Sequence, residues 1–298
     1  PGGLKANLSY AGMSYRLAGD VSELELDGWS HTLDAGLSYP LLRSRTLNLA
    51  ASLGYQYKAL VDQAFDETIN DRQLHSGILN FSGDEYDTFL GGGYTTFSAG
   101  VTMGDMSEDA ADISITDVEG LYTHFNFGAA RLQRLMDRLT INLSYNGQLS
   151  LNNLDSSEKF ILGGPNGVRA YPVGEASGDA GHLFNVDLRF DLPLPAAWGL
   201  LQWSGFYDAG HITLHYDPWT NSIENATDKN MYWLQGAGVG LSYNYKNIFG
   251  LRGSWAHILG DNPGATLITG KRGRVIGEAN ADGRDDQYRF WLQAALYF

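Results

Sequence analysis

Apolar and polar residues alternate along most of the chain, with a period of two. In the segment RLTINLSYNGQLSL the residues of one parity are apolar: Leu139, Ile141, Leu143, Tyr145, Leu149 and Leu151. Successive side chains of a β-strand point to opposite faces, so the pattern predicts strands with one apolar and one polar surface. About twelve such segments can be read, near residues 3–17, 28–40, 45–60, 68–83, 86–104, 117–132, 138–152, 181–193, 199–215, 231–245, 248–259 and 287–298.

The length and chemistry of these segments indicate their surroundings. Many run to about 10–15 residues, whereas soluble strands have about 5–6 and bilayer-crossing strands about 9–11 at a tilt of roughly 45°. Their polar face is small and neutral, and their apolar face ends repeatedly in an aromatic residue. A barrel with lipid outside, aromatic girdles and a polar lumen has this composition. We therefore predict an all-β fold, an antiparallel transmembrane β-barrel with about twelve strands; a soluble β-sandwich or lectin is the alternative.

The C-terminal segment QYRFWLQAALYF is a further amphipathic strand, and it ends on the aromatic residue Phe298. This ending resembles the signal by which bacterial outer-membrane barrels are handed to their assembly machinery. Phe298 is therefore the candidate assembly signal, and the barrel assembly machinery is a candidate partner. The alternative is a last strand that merely ends on a packed phenylalanine.

Composition and charge exclude several classes of protein. The chain has 298 residues and a net charge of −14, which argues against a nucleic-acid binder. It has no cysteine, so disulfide frameworks and thiolate metal sites are excluded. His211 and His215 share a strand face but lack further ligands, and no Gly-x-Ser-x-Gly elbow or carboxylate pair stands out. We expect no enzyme activity, no metal and no cofactor. The opening PGGLKANLSY has no secretory signal, so we expect a cytosolic chain, a mature chain or a fragment.

One stretch departs from the alternation. FILGGPNGVRAYPVGEASGD, at residues 160–179, holds five glycines, two prolines and a single arginine, Arg169. Loops of roughly 25 residues without regular structure are uncommon unless functional. Arg169 is permanently charged and carries a fork of donors suited to a carboxylate. If the loop folds back into the lumen, Arg169 must therefore find an acid. Asp208 shares the inward parity of its strand with Phe206 and Gly210.

The same stretch resembles the VRGY-type loop of the Omp85 superfamily. It matches especially the outer-membrane transporters of two-partner secretion, the haemolysin and filamentous-haemagglutinin exporters. A second family pattern, Phe-x-Asp-x-Gly, occurs two strands later as Phe206, Asp208 and Gly210 in FYDAGHI, and YPLLRSRTLNL is also similar. The residues that match the loop motif are Gly163, Gly164, Val168, Ala170 and Tyr171, with Ala170 standing where the family has glycine.

The resemblance implies that Arg169 and Asp208 form a lock that tethers the loop, residues 158–181, inside the barrel. The alternative is an exposed loop arginine and an ordinary lumenal aspartate. Barrels of this family have sixteen strands, with the loop between the eleventh and twelfth, whereas here about seven precede it and five follow it. We therefore expect residues 1–298 to be a single transmembrane barrel domain without the first four strands, the POTRA domains or the plug helix. An isolated chain is expected to pair Leu4–Leu17 with Tyr288–Phe298 or to fail to fold.

The function that the resemblance implies is export across the outer membrane of a Gram-negative bacterium. The cargo would be one large unfolded partner protein, such as an adhesin, a haemolysin or a contact-dependent toxin, and it would move without ATP. The expected partners are outer-membrane lipid and lipopolysaccharide, the cognate secreted protein and the barrel assembly machinery, but no nucleic acid. An Omp85-type barrel insertase and a passive solute porin are the rival functions.

Overall fold

The computed structural model describes residues 2–16, 26–65, 67–110, 118–246, 248–269 and 274–297. Regular structure in these ranges is almost entirely β. The strands are β1 Lys5–Arg16, β2 Asp27–Arg43, β3 Leu47–Ala64, β4 Glu67–Asp87, β5 Gly93–Ala110, β6 Gly120–Met136, β7 Leu139–Ser150, β8 Phe160–Ile161, β9 Ser177–Gly178, β10 Ala180–Asp191, β11 Leu200–Thr213, β12 Met231–Tyr245, β13 Phe249–Ile258, β14 Thr266–Thr269, β15 Val275–Ala279 and β16 Tyr288–Leu296. Single 3-10 turns lie at Phe89–Gly91, Ser156–Glu158 and Ala196–Trp198.

Twelve strands form one sheet in the order β1-β2-β3-β4-β5-β6-β7-β10-β11-β12-β13-β16. Each lies on one of the twelve predicted segments, and the pairs whose register is defined are antiparallel, so the predicted all-β class is confirmed. Chain order is interrupted twice, because the small pairs β8–β9 and β14–β15 lie within connections. These small pairs were not predicted, since segments of two to five residues are too short to show a period.

Several predicted strand boundaries are wrong, and the largest error is at the start of the fifth segment. The sequence pattern starts the fifth segment at residue 86, but β4 continues to Asp87 and β5 begins only at Gly93. Between them the chain turns: Leu90 takes a left-handed φ of 47°, and the Asp87 carboxylate accepts the N–H of Phe89. A local hydrogen bond of this kind favours a turn over a continued strand.

The two faces of the strands differ as the alternation predicts. Large apolar side chains of one parity are exposed, with Leu53 at 61% and Leu292 at 63%. Polar side chains of the other parity are buried, among them Gln148, Ser150 and Ser254. We call the side that carries these residues the polar face. This distribution is the reverse of a soluble sandwich and fits strands whose apolar side meets lipid.

The chain divides into two compact units, each with its own core. Unit 1 comprises Pro1–Gly83, Ser98–Phe127 and Leu149–Ser157, and unit 2 comprises Asp84–Phe97, Gly128–Gln148 and Glu158–Phe298. The buried cluster of unit 1 is Leu74, Met106, Tyr122 and Leu154. The larger cluster of unit 2 joins the loop to the strands and contains Leu162, Val168, Ala170, Tyr171, Ala176, Leu183, Phe206, Ile212, Tyr232, Leu234, Ala256 and Ile258.

No helix within the described ranges is long and apolar enough to cross a bilayer. The candidate assembly signal, Phe298, lies outside the described residues, as does Leu17. The expected pairing of the first and last strands therefore stays a prediction, and so does the single barrel domain.

Leu53→Arg is expected to lower the free energy of unfolding by about 2–4 kcal/mol, because Leu53 is on the exposed apolar face near the middle of β3 and a cation there would enter hydrocarbon. Ser52→Arg, on the opposite face, is expected to have less than half that effect. The measurement is urea unfolding in lipid vesicles, followed by the faster gel migration that a folded barrel shows before boiling. Equal effects of the two substitutions would contradict the assignment of faces.

Candidate functional site

Arg169 is held by two acids on the polar face of unit 2. Its Nε and Nη2 donate to the two carboxylate oxygens of Asp208 at 2.9 and 2.7 Å, and its backbone N–H donates to Asp208 Oδ2 at 3.0 Å. Nη1 donates to Asp187 Oδ1 at 2.8 Å. The structure thus brings together the two residues that the sequence singles out, and it adds Asp187, which the sequence reasoning missed.

The guanidinium is almost completely removed from solvent. Arg169 is 4% exposed and Asp208 is 0% exposed. Burial alone lowers the pKa of Arg169, but the hydrogen bonds and negative charges of Asp208 and Asp187 outweigh it and raise the pKa above its usual value. Breaking a buried ion pair of this kind by removing one partner leaves an uncompensated charge, which typically costs about 3–5 kcal/mol.

Two aromatic residues complete the surroundings of the arginine. The centroid of the Phe206 ring lies 3.5 Å from Cζ of Arg169, a cation–π contact in a desolvated site. Trp291 of β16 donates its Nε1–H to the Arg169 carbonyl oxygen at 2.7 Å.

Asn185 links the loop to the neighbouring strand, since its Nδ2 donates to the Gly167 carbonyl at 3.0 Å and to Asp208 at 2.8 Å. The arginine is therefore fixed through its side chain and its backbone.

The loop motif folds into a tight turn that aims Arg169 at these partners. The Val168 N–H donates to the Leu162 carbonyl at 2.7 Å, and the Gly164 N–H donates to the Tyr171 carbonyl at 3.1 Å. Gly164 has a φ of 109°, which favours glycine, and a side chain at Gly163 would collide with the Pro172 carbonyl. Both motif glycines are thus required by the backbone path.

Glycines on the strands make room for the loop. A side chain at Gly210 would come within 2.6 Å of Leu162, and one at Gly236 within 2.5 Å of the Ala170 methyl. Ala170 stands at the position where the motif that the sequence resembles has glycine. It is not among the described residues with positive φ, so its methyl fits without strain. The three residues of the Phe-x-Asp-x-Gly pattern therefore all receive the same loop. Phe206 and Asp208 contact Arg169, and Gly210 leaves space for Leu162.

Behind the arginine, the loop adds apolar side chains to the core of unit 2. Val168, Ala170 and Tyr171 are each 0% exposed. Burial, followed by the negative charge of Glu175, raises the pKa of the Tyr171 hydroxyl. Fully burying such side chains stabilises by roughly 1.5–3 kcal/mol for each large one, so the loop is held by packing as well as by the ion pair.

A second ion pair fixes the base of the loop. Lys159 Nζ donates to Asp179 Oδ1 at 2.7 Å and to the Leu214 carbonyl at 2.9 Å. The other Asp179 oxygen accepts the Tyr216 N–H at 2.8 Å, and Gln148 donates to the Asp179 carbonyl at 3.1 Å. The two arms of the loop are therefore joined to each other and to the connection that follows β11.

The far arm of the loop is attached to the connection between β13 and β16. The buried Glu175 carboxylate accepts the Asn262 Nδ2–H at 2.7 Å and the Ala281 N–H at 2.6 Å. Burial raises the pKa of Glu175, although these two donors act in the opposite direction. This attachment joins positions more than eighty residues apart, and no local sequence pattern predicts it.

A separate ion pair in unit 1 holds the segment that follows β7. Arg72 donates through Nη1 to Asp155 at 2.7 Å and through Nη2 to Asp62 at 2.6 Å. Burial raises the pKa of Asp155, but its hydrogen bonds to Ser157 and the charge of Arg72 outweigh this effect and lower it. Beside it, Leu154 is buried in the core of unit 1.

Among the described residues no three histidine, aspartate or glutamate side chains cluster as ligands. His211 instead packs against Trp233 with ring centroids 5.1 Å apart, and His215 packs against Trp219 at 4.5 Å.

The comparisons with known proteins now identify the family. Residues 2–243 match the family model described as haemolysin secretion/activation protein ShlB/FhaC/HecB. The chain belongs to this family. Its members are β-barrel proteins of the outer membrane of Gram-negative bacteria, which gives the location of the chain.

Individual relatives agree with this assignment. A heme/hemopexin transporter protein, HuxB of Haemophilus influenzae, is 28% identical over 256 residues, which are 84% of this chain and 44% of HuxB. The solved structure of CdiB from Escherichia coli is similar over 99% of this chain and 51% of that one, with a TM-score of 0.74 and 19% identity. CdiB from Acinetobacter baumannii gives 0.68 and 16% identity over 99% of this chain and 48% of that one. The chain thus has the fold of these barrels and spans about half the length of the relatives it matches.

Arg169→Ala and Asp208→Ala are each expected to lower the free energy of unfolding by about 3–5 kcal/mol. Arg169→Ala leaves two buried acids without their cation, and Asp208→Ala leaves the buried Nε and Nη2 of Arg169 without an acceptor. The double variant should be little worse than either single variant, and the measurement is a double-mutant cycle in urea. Arg274→Ala, at an exposed arginine of the same unit, is the matched control. Strictly additive losses would show that Arg169 and Asp208 do not act together.

The attachment of the loop at Glu175 is expected to weaken as the pH rises. An unfolded glutamate has a pKa of about 4.3 and the buried one a higher pKa, so the docked loop binds the proton more tightly. The stability of docking is therefore greatest below about pH 4, falls until the pH passes the folded-state pKa, and then stays constant. The measurement is the hydrogen-exchange protection of the Val168 amide, corrected for intrinsic exchange.

Glu175→Gln should flatten this pH dependence, because glutamine does not titrate. It should also lower protection at low pH, since its NH2 group would face one of the two N–H donors, Asn262 or Ala281, and cannot accept from it. Glu224→Gln, at an exposed position, should leave the slope unchanged. An unaltered slope in Glu175→Gln would assign the titration to another group.

Proposed function

We propose that this chain forms the pore of a two-partner secretion system. It exports one large, unfolded partner protein across the outer membrane of a Gram-negative bacterium. The family match over residues 2–243 supports this proposal, together with the buried Arg169–Asp208 pair on the loop motif. A solute porin has no use for a loop fixed by a buried ion pair, whereas a protein-exporting pore needs an element that controls its lumen.

Export through this pore uses the polar face of the strands. Serine, asparagine and glutamine side chains offer weak, exchangeable hydrogen bonds to an extended polypeptide and do not trap it. The cargo moves outward without ATP and is drawn by its own folding outside the cell. The chain therefore acts as a conduit and not as an enzyme.

Arg169 and Asp208 act in this proposal as the lock of the arginine loop. Gly163, Gly164, Val168, Ala170 and Tyr171 give the loop its shape. Phe206 and Gly210 prepare the strand that receives it. Phe298 is the signal read by the barrel assembly machinery. Outer-membrane lipid and lipopolysaccharide surround the apolar face.

The cargo is the remaining partner, and it is proposed to be a single cognate secreted protein. HuxB is described as a heme/hemopexin transporter protein, and this description agrees with a role in transport for the present chain. The cargo is expected to be an adhesin, a haemolysin or a contact-dependent toxin.

Deleting the gene is expected to remove one large protein from the culture medium and to leave other outer-membrane barrels at normal levels. The measurement is quantitative mass spectrometry of medium and outer membranes. Loss of many barrels would instead indicate an insertase, and loss of solute uptake with normal secretion would indicate a porin. Complementation with Arg169→Ala or Asp208→Ala should restore secretion only partly, whereas Arg274→Ala should restore it fully.

A further inference from the structure

A polar cavity lies in unit 2, between the lock and the connections that join β10 to β11 and β12 to β13. It has a volume of about 340 Å³ and is lined by two arginines and several neutral polar residues. The polar residues that line it are Arg189, Gln202, Ser204, Ser242, Asn244, Arg252 and Gln293.

The strand register puts the cavity on the polar face. Arg189 stands two residues after Asp187 on β10 and is paired with Ser204. Arg252 is paired with Ser242 on one side and with Gln293 on the other. Because residues two apart on a strand share a face, both arginines point to the side that carries the lock.

The positive charge of these arginines is only partly compensated. The nearest carboxylate oxygen to Arg189 is Asp187 Oδ2, at 3.9 Å, and the other Asp187 oxygen already accepts from Arg169. Arg252 makes no ion pair within the described ranges, and it is exposed to the cavity side. Asp191, the other acid near this end of β10, accepts from Gln202 at 2.7 Å. Arg189 therefore has only a distant acid that it shares with Arg169, and Arg252 has none among the described residues. In a chain of net charge −14, such incompletely compensated guanidiniums favour the binding of an external anion.

The neutral groups beside the arginines indicate which kind of anion fits. Guanidinium forks bind carboxylates in bidentate geometry. The amides of Asn244, Gln202 and Gln293 offer both donors and acceptors, which match the N–H and C=O groups of an extended backbone. A phosphate would use donors only, and no helix N-terminus is among the described residues that line this cavity.

We propose that Arg189 and Arg252 form a binding site for the carboxylate of an acidic side chain in an extended polypeptide. The site rests on the proposed function, because the polypeptide is the exported chain as it passes below the arginine loop. Both arginines are accessible to solvent, so the contact is weak, exchangeable and screened by salt. It lets acidic segments of the cargo pause and leave without being trapped.

The test uses the protein purified from outer membranes in mild detergent, with two fluorescent probe peptides, octaglutamate and octaglutamine. At low ionic strength, fluorescence anisotropy should show tighter binding of octaglutamate by at least tenfold. Arg189→Gln and Arg252→Gln should each weaken its binding by roughly three- to tenfold, and the double variant should bind both peptides alike. Arg45→Gln, at an exposed arginine of the β2–β3 turn, removes the same charge and should change nothing.

Several outcomes would overturn the proposal. Equal binding of the two peptides by the unmodified protein would do so without any variant, even if the substitutions prevented folding. An effect of Arg45→Gln as large as that of Arg252→Gln would show nonspecific attraction. Inorganic phosphate that displaced octaglutamate at equal concentration, with the same dependence on Arg189 and Arg252, would show a general anion site.

The experiment separates this proposal from the proposed function. Peptide binding is measured without secretion, so intact secretion with no octaglutamate binding defeats only the site. The converse result is that the purified protein binds octaglutamate normally, while deletion of the gene leaves the secreted proteins unchanged. That result defeats only the export function.

Discussion

The structure of unit 2 depends on compensating one buried positive charge. Arg169 carries donors in a fixed planar fork, and each acid that receives them comes from a different strand, Asp208 from β11 and Asp187 from β10. A guanidinium removed from water without such partners would be strongly destabilising. Two features of the backbone allow the guanidinium to reach these acids. The loop turns at Gly163 and Gly164, and the strands leave space for it at Gly210 and Gly236.

Part of this arrangement could be predicted from the sequence because it follows from a period of two. Counting along FYDAGHI places Asp208 on the polar face, and the need of Arg169 for an acid then makes it a partner. The same counting places Asp187 there too, but parity alone does not tell which of several inward acids lies at the height of the loop. Register across strands decides that, and register is a tertiary property.

The remaining contacts of the loop join distant, irregular segments. Glu175 meets Ala281 through two connections that have no period, and the Ala170 methyl meets Gly236 across the polar face. Such pairs depend on how closely the two segments pack and on whether each buried N–H finds an acceptor. No local sequence pattern encodes either condition. The β14–β15 hairpin was missed for the related reason that strands of four and five residues are hidden in an apparently polar loop.

The hydrogen bond from Trp291 to the Arg169 carbonyl has a consequence for the order of assembly. Trp291 belongs to β16, the last strand that the structure describes, and it lies 122 residues after the arginine. The loop therefore has its full set of partners only after the C-terminal strand has joined the sheet beside β13. In a chain arrested before that step, the Arg169 carbonyl oxygen lacks its donor beside the buried guanidinium. Complete docking of the loop therefore requires that β16 has already paired with β13.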